Sequence, residues 1–174
     1  MNEGPLDMRY DREGKVTAES IVNSWSSDDL ARIFRVYGEE PAARLIAKTI
    51  CAARETEPIV TTLQLANLVA SVIPRRGKIH PATRVFQALR IVVNDELGEL
   101  ERALPAFVEL LKPGGRLAVI SFHSLEDRMV KRFIAAQEGT TLRSLSKHVI
   151  TPSEEEIRSN PRSRSAKLRV AERI

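Results

Sequence analysis

A chain of 174 residues with 43% apolar and 29% charged residues has the composition of an ordinary folded domain, long enough to bury a core and too balanced to be disordered. No apolar run approaches the roughly 20 residues of a membrane-spanning helix, and the opening MNEGPLDMRYDREG lacks the apolar stretch of a secretory signal. The net charge of +4, from 27 Lys+Arg against 23 Asp+Glu, is too mild to argue for nucleic acid by itself. The single cysteine, Cys51, excludes a disulfide framework and a thiolate zinc site, reads as a buried thiol and suits a reducing cytoplasm.

Residues 1–16 carry glycine, proline and charge without period and read as a loop too polar to enter a core. Thr17 opens a short helix, AESIVNSW. Ser26 or Ser27 caps the next, where Leu30, Ile33, Phe34 and Tyr37 share one face and Gly38 ends the run. Leu45, Ile46, Ile50 and Ala53 predict a third helix, bordered by Arg44, Lys48 and Arg54. Thr61-x-x-Gln64 is a capping box leading into LQLANLVASVI, which stops at Pro74. From Pro81 to Lys112 runs the longest helical pattern, with a broad apolar face from Val85 to Leu104 and a predicted kink or break at Pro105.

Pro113, Gly114 and Gly115 close that run, and Leu117 to Phe122 follow as a short, nearly continuous apolar stretch. Such a stretch predicts a strand covered on both faces, as in a parallel sheet. Ser124-x-x-Asp127 then predicts a cap for the helix LEDRMVKRFIAAQ. A strand near Lys147 to Ile150, a capping box at Ser153-x-x-Glu156 and a closing strand from Ala166 to Glu172 complete the reading. The pattern is α/β but lopsided: helices first, then too few strands to close a sheet.

Ligand sites in open α/β sheets gather at the carboxyl ends of strands. That position holds His123, Ser124, Glu126, Asp127 and Arg128, a possible base, a hydroxyl, two carboxylates and a guanidinium. A capped helix start with surface charges explains them equally well, and no G-x-S-x-G elbow supports a hydrolase. His80 and His148 stand alone, metal-ligand spacing is absent, and no glycine-rich phosphate loop occurs. The tail NPRSRSAKLRVAERI sets Arg162, Arg164, Lys167, Arg169 and Arg173 against Glu172 alone, a segment able to neutralise phosphates or to be a solvated edge.

Four segments in order, GPLDMRYD (4–11), YGEE (37–40), PATRVFQALRIVVNDEL (81–97) and LKPGGRLAVISFHSLEDRMVKRF (111–133), with the closing NPRSRSAKLRVAER (160–173), resemble the bacterial 16S rRNA cytosine-N4 methyltransferases, the RsmH or MraW family. LKPGG before a strand is common to many methyltransferases. PATRVFQALRI followed by SFHSLEDR is specific. Tyr10 stands where the family usually has Met.

The resemblance implies a partial Rossmann-like class I methyltransferase sheet with an inserted helical domain, the N-terminal donor-binding half being missing. Residues 1–16 would be a junction loop, 17–75 the inserted RNA-binding domain, and 76–174 the C-terminal portion of the methyltransferase domain. The implied activity is transfer of a methyl group from S-adenosylmethionine to the N4 amine of a cytidine in small-subunit ribosomal RNA. The donor site is expected outside this chain. His123, Ser124, Glu126, Asp127 and Arg128 would line the cytidine pocket, with Asp7 and Arg9 shaping it. Arg44, Arg84, Arg90, Arg162 and Arg164 would meet RNA phosphates. Implied partners are ribosomal RNA or the small subunit, and a second copy or a complementing N-terminal half. A non-catalytic RNA- or ribosome-binding remnant is the alternative. A DNA-binding regulator built on 17–75 is disfavoured, because Thr62 to Ile73 lacks a basic recognition face.

Overall fold

The computed structural model describes residues 3–74 and 80–174, which form two compact units, residues 1–96 and 97–174. The expected domain boundary at 75/76 lies outside the described residues. Among the described residues are eight α-helices and three strands, so the protein is of the α/β class. No described helix is long and apolar enough to cross a membrane.

The first unit contains α1 (Ala18–Ser24), α2 (Ser27–Val36), α3 (Ala43–Arg54), α4 (Thr62–Val72) and α5 (Thr83–Val93). Local chemistry starts α1, α2 and α4 where the sequence predicts. Thr17 and Thr61 each accept the N–H of the residue three positions on, and Ser20 and Gln64 return the bond, so two capping boxes satisfy otherwise orphaned donors. Ser26, rather than Ser27, caps α2. Phe34, Leu30, Ile46 and Leu65 are fully buried in one core that also takes Val85 and Leu89 of α5, each such side chain contributing roughly 1.5–3 kcal/mol.

Three expectations change in this unit. On α3 the buried face is Ala43, Ile46, Ala47 and Ile50, so Leu45 is exposed. Cys51 is half-buried. The first segment is no surface loop: Leu6 is fully buried, its N–H donates to Val60 O (2.9 Å), and its carbonyl accepts from Glu19 N–H (2.7 Å). One apolar residue among charges is enough to pin it.

The long helical run breaks, but not at its proline. α5 stops at Val93, and α6 (Glu96–Leu110) passes through Pro105. Asn94 makes the break. Its side-chain amide donates to Met8 O and Arg90 O (2.9 Å each), its Oδ1 accepts from Tyr10 N–H (2.8 Å), and Asp95 turns the chain at φ 47°. Pro105 is tolerated because both it and Glu101, whose carbonyl loses its partner, face solvent.

In the second unit, β1 (Arg116–Ser121), β2 (Leu142–Ser144) and β3 (Lys167–Arg173) form a sheet of order β1-β3-β2, antiparallel throughout. α7 (Ser124–Gln137) covers one face, and its Val130 and Ile134 join Leu104 and Val108 of α6, Leu117, Leu142 and Ala171 in a small core. β1 is therefore not the doubly covered parallel strand expected. Among the described residues its one strand neighbour is β3, and Ile120 and Phe122 stand 58% and 56% exposed, with no described element over them. The expected strand at 147–150 is only a bridge from Ile150 to Leu168; the second strand lies earlier, at β2. α8 (Glu154–Ser159), capped by Ser153, leads through a 3-10 turn (Pro161–Ser165) into β3.

Candidate functional site

The rim after β1 is built as a helix cap. His123, not Ser124, is the N-cap of α7. Its Nδ1 accepts from Glu126 N–H (3.3 Å), while Glu126 Oε2 accepts from the N–H groups of Phe122 (2.8 Å) and His123 (3.3 Å). The ring's Nε2 lies 3.3 Å from Glu126 Oε1. Cap positions shift by one because an imidazole nitrogen serves as acceptor as well as a hydroxyl does.

One turn on, Asp127 accepts two hydrogen bonds from Arg169 of β3 (2.7 and 3.2 Å), with Lys167 Nζ at 3.6 Å. Arg169's hydrogen bonds hold the Asp127 carboxyl below its ordinary value, against a partial burial that works the other way. Ser124 opens α7 half-buried, and exposed Arg128 borders an open cleft of about 480 Å³ that includes Leu104, Leu125 and Phe133.

Asp7 and Arg9 belong to the first unit and hold each other: Arg9 Nε and Nη2 donate to the two Asp7 oxygens (2.7 and 2.8 Å), and Arg9 N–H adds a third bond (3.1 Å). The same guanidinium donates to the carbonyls of Arg12 (2.9 Å) and Gly14 (2.6 Å). Arg9's side-chain and backbone hydrogen bonds to Asp7 lower that carboxyl to about 2.

The basic candidates divide. Arg44 is exposed on α3, and Arg162 and Arg164 are exposed on the 3-10 turn. Arg84 is exposed but lies 3.9 Å from Glu40, and Arg90 is clamped on Glu96 (2.6 and 3.1 Å). The basic tail is largely consumed inside the fold. Lys167 and Arg169 face Asp127, and Arg173 Nη1 caps the end of α6 at the carbonyls of Val108 (3.0 Å), Glu109 (2.9 Å) and Leu111. Sequence reasoning missed buried Glu40 and the clamp residue Asn94. Both stood inside quoted motifs, but neither partnership has a local signature.

The residues that make these caps and clamps are those of the ordered motifs. Comparison with known proteins decides the rest: the model of the MraW methylase family matches residues 1–174. The chain belongs to that family. It is similar to the ribosomal RNA small subunit methyltransferase H of Elusimicrobium minutum, 57% identical over all of this chain and 60% of the relative. The enzyme of the same name from Coprothermobacter proteolyticus is 58% identical over 97% of this chain and 57% of its own length. That of Thermomicrobium roseum is 54% identical over 98% and 58%. The chain thus spans about three fifths of the length of these family members.

Proposed function

We propose that this family member is the RNA-facing and sheet-closing part of an enzyme that methylates small-subunit ribosomal RNA in the cytoplasm, using S-adenosylmethionine on the N4 amine of a cytidine. The observation that carries the reading is the family match along the whole chain. The relatives' names speak of small-subunit ribosomal RNA methylation; cytidine N4 and the donor follow from the resemblance of SFHSLEDR and PATRVFQALRI. In this reading the strands of 116–121 and 167–173 belong to a larger Rossmann-like sheet, and 17–75 to the inserted helical domain.

The resemblance expects the donor's cradle outside this chain. A nucleoside-type cofactor at a strand end needs backbone N–H groups free to meet it. Here the amides of Phe122 and His123 serve Glu126, and the Gly114 N–H serves Arg173 O (2.8 Å). These occupied amides support a donor held by residues outside this chain.

What this chain's own groups do is hold and position. Glu126 and Asp127 are engaged as cap and ion-pair partner, so they fix the start of α7 as a rim to the cytidine pocket. His123, Ser124 and Arg128 border the same rim. Arg44, Arg84, Arg162 and Arg164 meet phosphates, a task that positions RNA without reading sequence.

Calorimetric titration with S-adenosylmethionine and a transfer assay on small-subunit RNA test the reading. The expected result is RNA binding by this chain, no donor binding, and methyl transfer once the N-terminal part of a family relative is added. Tight donor binding by the chain alone would overturn the donor's placement. RNA binding with no transfer in any mixture would leave a binding module instead of part of an enzyme.

A further inference from the structure

The YGEE and PATR motifs fold against one another around a cavity that the proposed reaction does not use. Tyr37 is the C-cap of α2, Glu39 reverses the chain at φ 48°, and α5 starts beside the turn. Gly38 makes the approach possible: a Cβ there would stand 2.6 Å from Arg84 O and 2.7 Å from Phe34 O, closer than any side chain allows. Gln87 Nε2 ties the two segments by donating to Tyr37 O (2.9 Å). The result is a cavity of about 430 Å³, lined among others by Glu40, Pro41, Pro74, His80, Pro81 and Arg84. It belongs wholly to the first unit.

Glu40 is the unusual member, a carboxylate only 6% exposed. Its Oε1 accepts from Ala42 N–H (3.0 Å), and the Arg84 guanidinium lies 3.9 Å from Oε2, near enough to attract and too far to hydrogen-bond. A buried carboxylate with acceptor capacity to spare is costly unless a donor meets it. His80 Nδ1 accepts from Ala82 N–H (3.2 Å), so in the neutral ring Nε2 carries the hydrogen. The cavity thus combines a buried acceptor, a ring N–H, proline walls and a half-exposed cation at its edge.

We propose that this cavity is a second nucleotide pocket, specific for a guanine base of the RNA. Guanine presents N1–H and N2–H₂ side by side, two donors for one carboxylate, with the O6 acceptor beside them for the histidine N–H. Adenine and cytosine offer one amine flanked by a bare ring acceptor, and uracil one N–H between two carbonyls, so each sets an acceptor against Glu40. The flat proline walls take the faces of the base, and Arg84 takes its phosphate. The proposal rests on the RNA-methylating reading only in taking the guanine to be part of that RNA.

The test is a titration of the isotope-labelled chain with guanosine 5′-monophosphate, following the amide signals of Gly38 and Ala42 by NMR. Saturable shifts are expected, with the monophosphates of adenosine, cytidine and uridine about tenfold weaker or worse. Inosine 5′-monophosphate, which lacks only the 2-amino group, is expected to bind about tenfold more weakly too, without any change to the protein. Glu40→Gln keeps an acceptor for Ala42 N–H and is expected to lose the preference for guanine. Equal responses to all nucleotides and to ribose 5-phosphate, or to guanosine and inosine monophosphates, would overturn the proposal, as would silence at both amides. No donor or methyl transfer enters this measurement, so its failure leaves the methylation reading standing.

Discussion

Arg169 on β3 closes two hydrogen bonds on the carboxylate of Asp127 in the first turn of α7. Both side chains are largely buried, at 18% and 13% exposed, so removing Arg169 leaves Asp127 with Lys167 alone, at 3.6 Å. Arg169→Ala is expected to destabilise the second unit by about 2 kcal/mol, less than a fully buried pair because solvent still reaches it. Urea unfolding followed by circular dichroism measures it. Since the folded Asp127 value lies below its ordinary 3.8, the pair's contribution is complete above that value and disappears as pH falls through the depressed one. Asp127→Asn should remove this part of the acid dependence.

That pair also marks what could be read in the sequence. The helix start at Thr17, the capping box at Thr61 and the buried face of α2 were legible, because partners lie three or four residues apart and periodicity encodes them. Asp127 and Arg169 are 42 residues apart, and nothing local couples them. So the tail read as charge for phosphates or for solvent, while the fold spends Lys167, Arg169 and Arg173 on itself. The break between α5 and α6 failed for the same reason. Pro105 carried the local signal, but Asn94, reaching across to Met8 and Tyr10, made the turn. The apolar run of β1 was legible as a strand; its antiparallel partner was not.

Gly38→Ala places a methyl within 2.7 Å of two backbone carbonyls, those of Arg84 and Phe34. Neither can swing aside as a side chain would, so α5 must move off the end of α2. A loss of roughly 1–3 kcal/mol is expected, read from thermal or urea unfolding. An unchanged midpoint would mean that the two motifs are not packed as described.

Asn94→Ala removes one acceptor for Tyr10 N–H and two donor bonds, to Met8 O and Arg90 O. Part of this cost is recovered from water at the exposed Tyr10 end, leaving about 2 kcal/mol. Hydrogen exchange at the Tyr10 amide should accelerate well beyond that of Leu6, whose bond to Val60 is independent of Asn94. Asn94→Asp keeps the Tyr10 acceptor and should protect that amide while still losing stability.

Asp7 should titrate at about 2 in the intact chain, observable at its carboxyl carbon by NMR. Arg9→Ala takes away the hydrogen bonds that lower it and should return the value toward 3.8. The loop carbonyls of Arg12 and Gly14 lose their donor in the same variant, so amide protection across residues 8–14 is expected to fall together with the shift.

Arg162 and Arg164 differ from Arg84 and Arg90 in where their charge goes. Both are exposed on the Pro161–Ser165 turn, whereas Arg90 is bound to Glu96 by two hydrogen bonds. If the turn meets RNA, each arginine releases counterions from one phosphate, about 0.7 of a unit in the slope of log affinity against log salt for a single strand. Arg162→Ala with Arg164→Ala should therefore flatten that slope by about 1.4 and weaken binding equally across RNA sequences. Arg90→Ala should do the reverse, leaving the slope unchanged while lowering stability, because Glu96 loses the two hydrogen bonds of the guanidinium. A double variant with an unaltered slope would remove the turn from the RNA-binding surface.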